Sequence, residues 1–114
     1  MIKNIALLTR REGLSHEDFV KHWRDAPAPL VHAVPGLRRY VQSHIVEERT
    51  RPDIPTMDVE IDGIAELWYD DQAAMERANA SPEAEALPAD GALFIGRIRN
   101  LVTEEKVLIP RERA

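Results

Sequence analysis

Histidine, phenol and carboxylate side chains recur in this chain at spacings that suit proton chemistry. In LRRYVQSHIVEE, Tyr40, Gln42 and His44 stand two apart, so an extended backbone puts all three on one face. In IAELWYD, Glu66 and Trp68 are likewise two apart. An imidazole beside a phenol and a carboxylate can take a proton from the carbon next to a carbonyl and stabilise the enolate. General acid–base catalysis of this kind is worth about 10² to 10⁴ in rate and needs no cofactor. The candidate catalytic residues are therefore His44, Tyr40 and Glu66, on the condition that strand register brings the two faces together. The same residues have an ordinary reading, with Tyr40 and Trp68 as packing, Glu66 paired to an arginine and His44 as an interface histidine.

Further residues suit the walls of a small, largely apolar pocket: Trp23, Gln42, Trp68, His32, His22 and Phe94 are the candidate substrate-binding set. His22 follows Asp18 by four, the spacing of a local ion pair on a helix surface. His32 sits in the proline-rich connector, and His16 falls in the first turn of a helix, facing solvent. His16 and His22 are six apart, about 240° around a helix, so they cannot share a metal. With no cysteine there is no thiolate zinc site, iron–sulfur cluster or cysteine nucleophile. No G-x-S-x-G elbow, glycine-rich phosphate loop or dinucleotide fingerprint occurs among the five glycines. Neither a metal nor an organic cofactor is expected.

Composition narrows the setting for this chemistry. A chain of 114 residues is one domain, 1–114, with one core. At 44 % hydrophobic and 31 % charged it is a soluble globular composition. Its apolar runs are too short for a membrane span or a signal peptide, which points to the cytoplasm and away from membranes. A net charge of −5 argues against nucleic acid, since the arginines at 38, 39, 49 and 51 are interrupted by Glu47 and Glu48.

The elements that must position these residues alternate between two periodicities. IKNIALLTR (2–10) reads as a strand with Ile5 and Leu7 on one side and Ala6 and Leu8 on the other. Ser15 caps a helix, with Leu14 able to staple against Phe19, and Phe19, Trp23 and Ala26 form its buried stripe. Pro27 and Pro29 are expected to end it. After the Pro35–Gly36 turn, 37–48 is a second strand with Leu37, Val41 and Ile45 on one face and Tyr40, Gln42 and His44 on the other. Residues 49–62 are a long excursion, and a third strand starts at Gly63. A helix from Asp70 or Asp71 buries Ala74, Met75 and Ala78. Ser81-Pro82 starts a further short helical turn, and 96–109 is the last strand. The order β-α-β-β-α-β specifies an α+β, ferredoxin-like fold: an antiparallel four-stranded sheet with two helices on one face. The other face, expected to carry Tyr40 and Trp68, is too apolar to stay in water, and a second subunit packing sheet to sheet would cover it.

The string F-x-x-H-W-x-x-x-x-x-P-L, then P-G-L-R-R-Y-V-Q-S-H, G-I-A-E-L-W-Y-D, F-I-G and V-T-E-E-K-V, resembles the EthD family of the dimeric α/β-barrel superfamily. It is similar as well to the methylmuconolactone methylisomerases, through S-H-E-x-F, P-G-L, I-D-x-I-x-E-x-W and V-T-E-E. The resemblance implies a sheet-to-sheet homodimer with a ligand pocket between each sheet and its helices, and no metal or organic cofactor. It also implies a histidine shortly after the tryptophan of the first helix. At that place this chain has Pro27, which carries no proton, so a mechanism through that histidine does not transfer.

Three functions follow from these observations. The first is cofactor-free isomerisation or elimination on a small hydrophobic carbonyl compound such as a lactone. A second is a cofactor-independent oxygenase of phenolic or polyketide substrates, with Trp23, Tyr40 and Trp68 as walls of an electron-rich pocket. The third is a non-catalytic binding or accessory protein, motivated by Pro27.

Overall fold

A computed structural model describes residues 1–111, so the last three residues of the expected domain lie outside the described part. Strand β1 (Ile2–Arg10) leads to helix α1 (His16–Asp25) and helix α2 (Pro27–Ala33). Strands β2 (Arg39–Ser43) and β3 (Gly63–Tyr69) follow, then helix α3 (Gln72–Asn79), a 3₁₀ turn (Pro82–Glu85), helix α4 (Ala86–Gly91) and strand β4 (Ile95–Glu104). The four strands form one sheet in the order β2-β3-β1-β4, and all three pairings are antiparallel. This is the ferredoxin-like α+β arrangement, with the two sequence-terminal strands paired in the middle and at one edge.

Local chemistry explains most boundaries. The Ser15 hydroxyl accepts the Asp18 amide at 3.1 Å, and the Asp71 carboxylate accepts the Ala74 amide at 2.7 Å, so α1 and α3 both start on side-chain caps. Gly36 adopts φ +84°, a conformation that favours glycine, and turns the chain from α2 into β2. Two strands are shorter than their alternation suggests. Ser43 pairs with Ile64 near the start of β3, and Glu104 pairs with Ile2 at the start of β1, so the residues beyond them have no partner backbone. The excursion after β2 holds only an isolated bridge between Arg51 and Ile54.

The prolines behave differently from their expected role. α1 does stop at Asp25, but Pro27 then opens a second helix instead of an irregular connector. Proline lacks an N–H that the first turn could not have bonded anyway, and its fixed φ suits that turn. His32 consequently lies in the last turn of α2 and is exposed.

The core sits between the sheet and the helices. Phe19 and Trp23 are fully buried against Ala6, Leu8, Ala65 and Phe94. A second cluster joins Tyr69, Ala74, Met75, Ala78, Ala84 and Val34. Trp23 presses on the backbone of Gly63 so closely that a Cβ there would stand 2.5 Å from its ring. That contact fixes α1 against the centre of the sheet.

Candidate active site

Register decides which side chains can meet. Tyr40 lies opposite Leu67 and Gln42 opposite Ala65, while Ala65 in turn faces Ala6 across β1. Ala6 and Ala65 belong to the core, so Tyr40 and Gln42 project toward the helices. Arg39 and Lys3 both lie opposite Trp68, and Val41 and Ile5 both lie opposite Glu66. Glu66 and Trp68 therefore project from the open face. The expectation that Tyr40 shares that face with Trp68 is corrected, because β2 enters the sheet in the register that pairs Arg39, not Tyr40, with Trp68.

On the helix side the polar groups form a chain. Gln42 Nε2 donates to the Trp23 carbonyl at 2.6 Å and to the Tyr40 hydroxyl at 3.0 Å, and Gln42 Oε1 stands 3.0 Å from His44 Nε2. The His44 ring packs on Trp23 with centroids 4.6 Å apart. Burial pushes the Tyr40 phenol above its usual pKa, hydrogen bonds from Gln42 and the Trp23 side chain pull it back, and the Asp90 charge pushes it up again. The phenol is thus a neutral hydrogen-bond donor at physiological pH. Tyr40 also lines a cleft of about 210 Å³ with Ala28, Val31, His32, Leu37, Arg38 and Arg39. His32 is thereby placed at the same cleft as Tyr40.

Glu66 does not join this group. It accepts from Lys3 Nζ at 2.6 Å on the opposite side of the sheet, with both side chains about four-fifths buried, at 17 % and 20 % exposure. Trp68 donates to Glu105, and Lys3 and the Arg39 guanidinium lie 5.0 Å and 4.8 Å from its ring. Glu66 lies opposite Val41, which points to the other face from Gln42, so the sheet itself separates the carboxylate from Gln42 and the His44 ring bonded to it.

His22 takes a partner that sequence reading missed. Its Nε2 lies 2.9 Å from Asp90 Oδ1 at the end of α4, not on Asp18, and its ring packs on Phe94 with centroids 4.6 Å apart. No periodicity links positions 22 and 90, so nothing in the sequence announces the pair. Phe94 itself is 3 % exposed and packs on Phe19, which makes it a core residue that carries His22 on one side. His16, expected to face solvent, is half exposed and pairs with Asp62 at 2.9 Å. Pro27 is buried at the start of α2, where it offers only an apolar ring. Among the described residues no cluster of three or more potential metal ligands is present, and no helix is long and apolar enough to cross a membrane.

Residues 11–98 match the EthD domain. The chain belongs to the EthD family. It is 32 % identical over 113 residues to the 4-carboxymethyl-4-methylbutenolide mutase of Pseudomonas reinekei, covering 94 % of this chain and 100 % of that protein. A crystal structure of an EthD family protein from Bacillus halodurans is similar with a TM-score of 0.74 at 28 % identity, covering 93 % of this chain and 99 % of the other. A dimeric ferredoxin-like protein from Thermobifida fusca shares the fold at a TM-score of 0.66 and 18 % identity, over 90 % and 88 % of the two chains. The EthD match confirms the family read from the motifs, and the strand order confirms the fold read from the periodicities.

Proposed function

We propose that the protein is a cofactor-free isomerase of a small butenolide-type lactone, working by proton transfer at the helix-side site around Tyr40. The observation that carries this reading is the Tyr40–Gln42–His44 chain, which ends in a neutral phenol on the wall of a cleft where Ala28, Val31 and Leu37 meet His32, Arg38 and Arg39. Gln42 donates to the Tyr40 oxygen, so the phenol's own proton is left for a ligand. Similarity to a butenolide mutase along nearly the whole chain supports the substrate class.

The reaction balances without an oxidant. A base removes a proton from the carboxymethyl carbon, the C–H electron pair forms a C=C bond to the quaternary ring carbon, and the ring C–O bond breaks to leave the lactone oxygen as a carboxylate. Tyr40 donates a hydrogen bond to that oxyanion. The other carboxylate of the opened diene then adds to the neighbouring ring-derived carbon as the proton returns to the carbon beside the first carboxylate, which closes the isomeric lactone. His44, coupled to Tyr40 through Gln42 and one residue past the end of β2, is the proton-carrying candidate.

A second copy of the chain is the proposed partner. Ile5, Leu7, Val41, Ile64 and Trp68 are half-buried on the open sheet face, and sheet-to-sheet packing would remove them from water. The likeness to a dimeric ferredoxin-like protein supports this homodimer. The charged composition supports a cytoplasmic location.

The test is to incubate the protein with 4-carboxymethyl-4-methylbutenolide and follow mass-resolved chromatography with and without air. A retention shift at constant mass is expected, with kcat falling about 10²-fold or more in Tyr40→Phe. An oxygen-dependent mass gain would replace this reading with an oxygenase. Saturable binding without conversion would replace it with a binding protein.

A further inference from the structure

We propose that Arg38, aided by His32, is the carboxylate-binding residue of the Tyr40 cleft and confines its ligands to small lactones that carry an acid group; the inference rests on the isomerase reading above. Charge singles out this cleft. The chain has 20 acidic against 15 basic residues, yet the wall that Tyr40 shares holds Arg38, Arg39 and His32 and, among the described residues, no carboxylate. The depression along α1 is different, with Asp18 and Asp25 beside Lys21 and His22. Cations do nothing for a purely apolar ligand, whereas a guanidinium fork matches a carboxylate. At about 210 Å³ the cleft is below the roughly 300–1,000 Å³ of sites for drug-sized ligands, which suits a compound of a few carbons.

The other contacts of the two arginines separate their roles. The Arg39 guanidinium lies over the Trp68 ring, 4.8 Å from its centroid, on the open face. Arg38 precedes Tyr40 by two, the spacing of side chains on one face of an extended chain. Its amide donates to the Trp68 carbonyl at 2.8 Å, which carries the β2–β3 ladder back to position 38 and puts its side chain on the helix side with the phenol. Asp70 accepts from Arg38 Nε at 3.1 Å and from Nη2 at 2.9 Å, so one edge of the fork is fixed. Nη1 and the outer N–H of Nη2 remain to donate to a ligand. Both partners of that ion pair are more than half exposed, so Asp70 cancels only part of the pull on an anion. His32 adds a ring nitrogen from the last turn of α2.

The reaction gives such a subsite a second use. The lactone carries one carboxylate and the ring-opened diene carries two, so the negative charge of the ligand rises as the base takes the proton. A guanidinium fixed in the cleft binds the more negative species better and keeps the diene in place until the ring closes again. The same contact offsets the charge beside the carboxymethyl carbon, from which the proton leaves.

Two experiments test this. The first follows backbone amide shifts as adipate, a saturated six-carbon dicarboxylate, or adipamide, its neutral counterpart, is added to the wild-type protein, to Arg38→Gln and to Arg24→Gln, which removes the same charge outside the cleft. Adipate is expected to shift the amides of residues 31, 32 and 37–40 saturably, and adipamide to bind about tenfold more weakly or worse. Arg38→Gln should weaken adipate about tenfold and Arg24→Gln by less than about twofold. Adipate bound no more tightly than adipamide, or equally tightly by Arg38→Gln, would overturn the proposal. The second compares KM and kcat on 4-carboxymethyl-4-methylbutenolide. Arg38→Gln should raise KM about tenfold and Arg38→Lys about threefold, since lysine keeps the charge but loses the fork. A wild-type KM in Arg38→Gln, with Tyr40→Phe inactive, would overturn the proposal and leave the isomerase reading standing. A wild-type protein that converts no butenolide but binds adipate through Arg38 would overturn the isomerase reading and leave the carboxylate subsite standing.

Discussion

The two faces of the sheet solve the same problem in opposite ways. On the helix side the polar groups of β2 and the residue after it meet through hydrogen bonds: Gln42 bonds to the Tyr40 hydroxyl, to His44 and to the Trp23 carbonyl. On the open side they are ions, with Lys3 between Glu66 and Glu105 and the Arg39 guanidinium over Trp68. A neutral group can be buried once its hydrogen bond is made, whereas a charge taken from water needs a close counter-charge as well. The helix side therefore suits a small ligand met by hydrogen bonds. The ionic side suits contact with a second protein surface, where paired charges set register.

The contrast is broken most severely by removing the wedge that separates the faces. Trp23→Ala should cost about 3–5 kcal/mol, because the indole is fully buried, roofs Gly63 and supports His44. Urea unfolding measures this directly, and a cost below about 1 kcal/mol would mean that α1 does not pack as described.

A smaller effect is expected from Glu66→Gln. The change keeps the shape and an accepting oxygen but leaves Glu105, at 4.0 Å, as the nearest counter-charge of the Lys3 ammonium, for about 1–2 kcal/mol of stability. Sedimentation should show weaker self-association, while turnover per folded protein stays within about threefold of wild type. A collapse of turnover would show that the open face contributes to the reaction and that the two sides are not independent.

The smallest effect concerns pH. Burial raises the phenol pKa of Tyr40 and of Tyr69, and both lie on the helix side. A raised pKa means that the folded protein keeps its proton while the unfolded chain, titrating near pH 10, releases it. The stability associated with these groups is therefore complete below about pH 10 and is lost as pH rises through the folded pKa. Tyr40→Phe should flatten part of that alkaline loss in urea midpoints between about pH 9 and 11. An unchanged slope would place the titrating group elsewhere.

How much of this was legible in the chain differs by residue. The period-two runs around Ala6, Leu8, Ala65 and Tyr69, the Ser15 and Asp71 caps and the Phe19–Trp23 stripe are local patterns, and each appears where the spacing puts it. The grouping of Tyr40 and Gln42 on one side of β2, with His44 just beyond its end, was equally legible, because alternation along an extended run needs no partner. Their relation to Glu66 was not, since a register shift of one residue exchanges the faces. Pro27 shows the same division: its power to stop α1 is local, but the helix it opens depends on Val31 and Val34 finding apolar surface to bury against. Asp90 was invisible because its meaning comes from a histidine 68 residues away.

By itself, then, the sequence determined the order of the elements, the inward stripes and the family, since periodicity, capping and motif spacing act over a few residues at a time. Tertiary structure alone decided that the phenol faces the helices while the carboxylate faces away, and that His22 meets Asp90. Those outcomes depend on strand register and on helix ends meeting in space, and neither is encoded within any single stretch of chain.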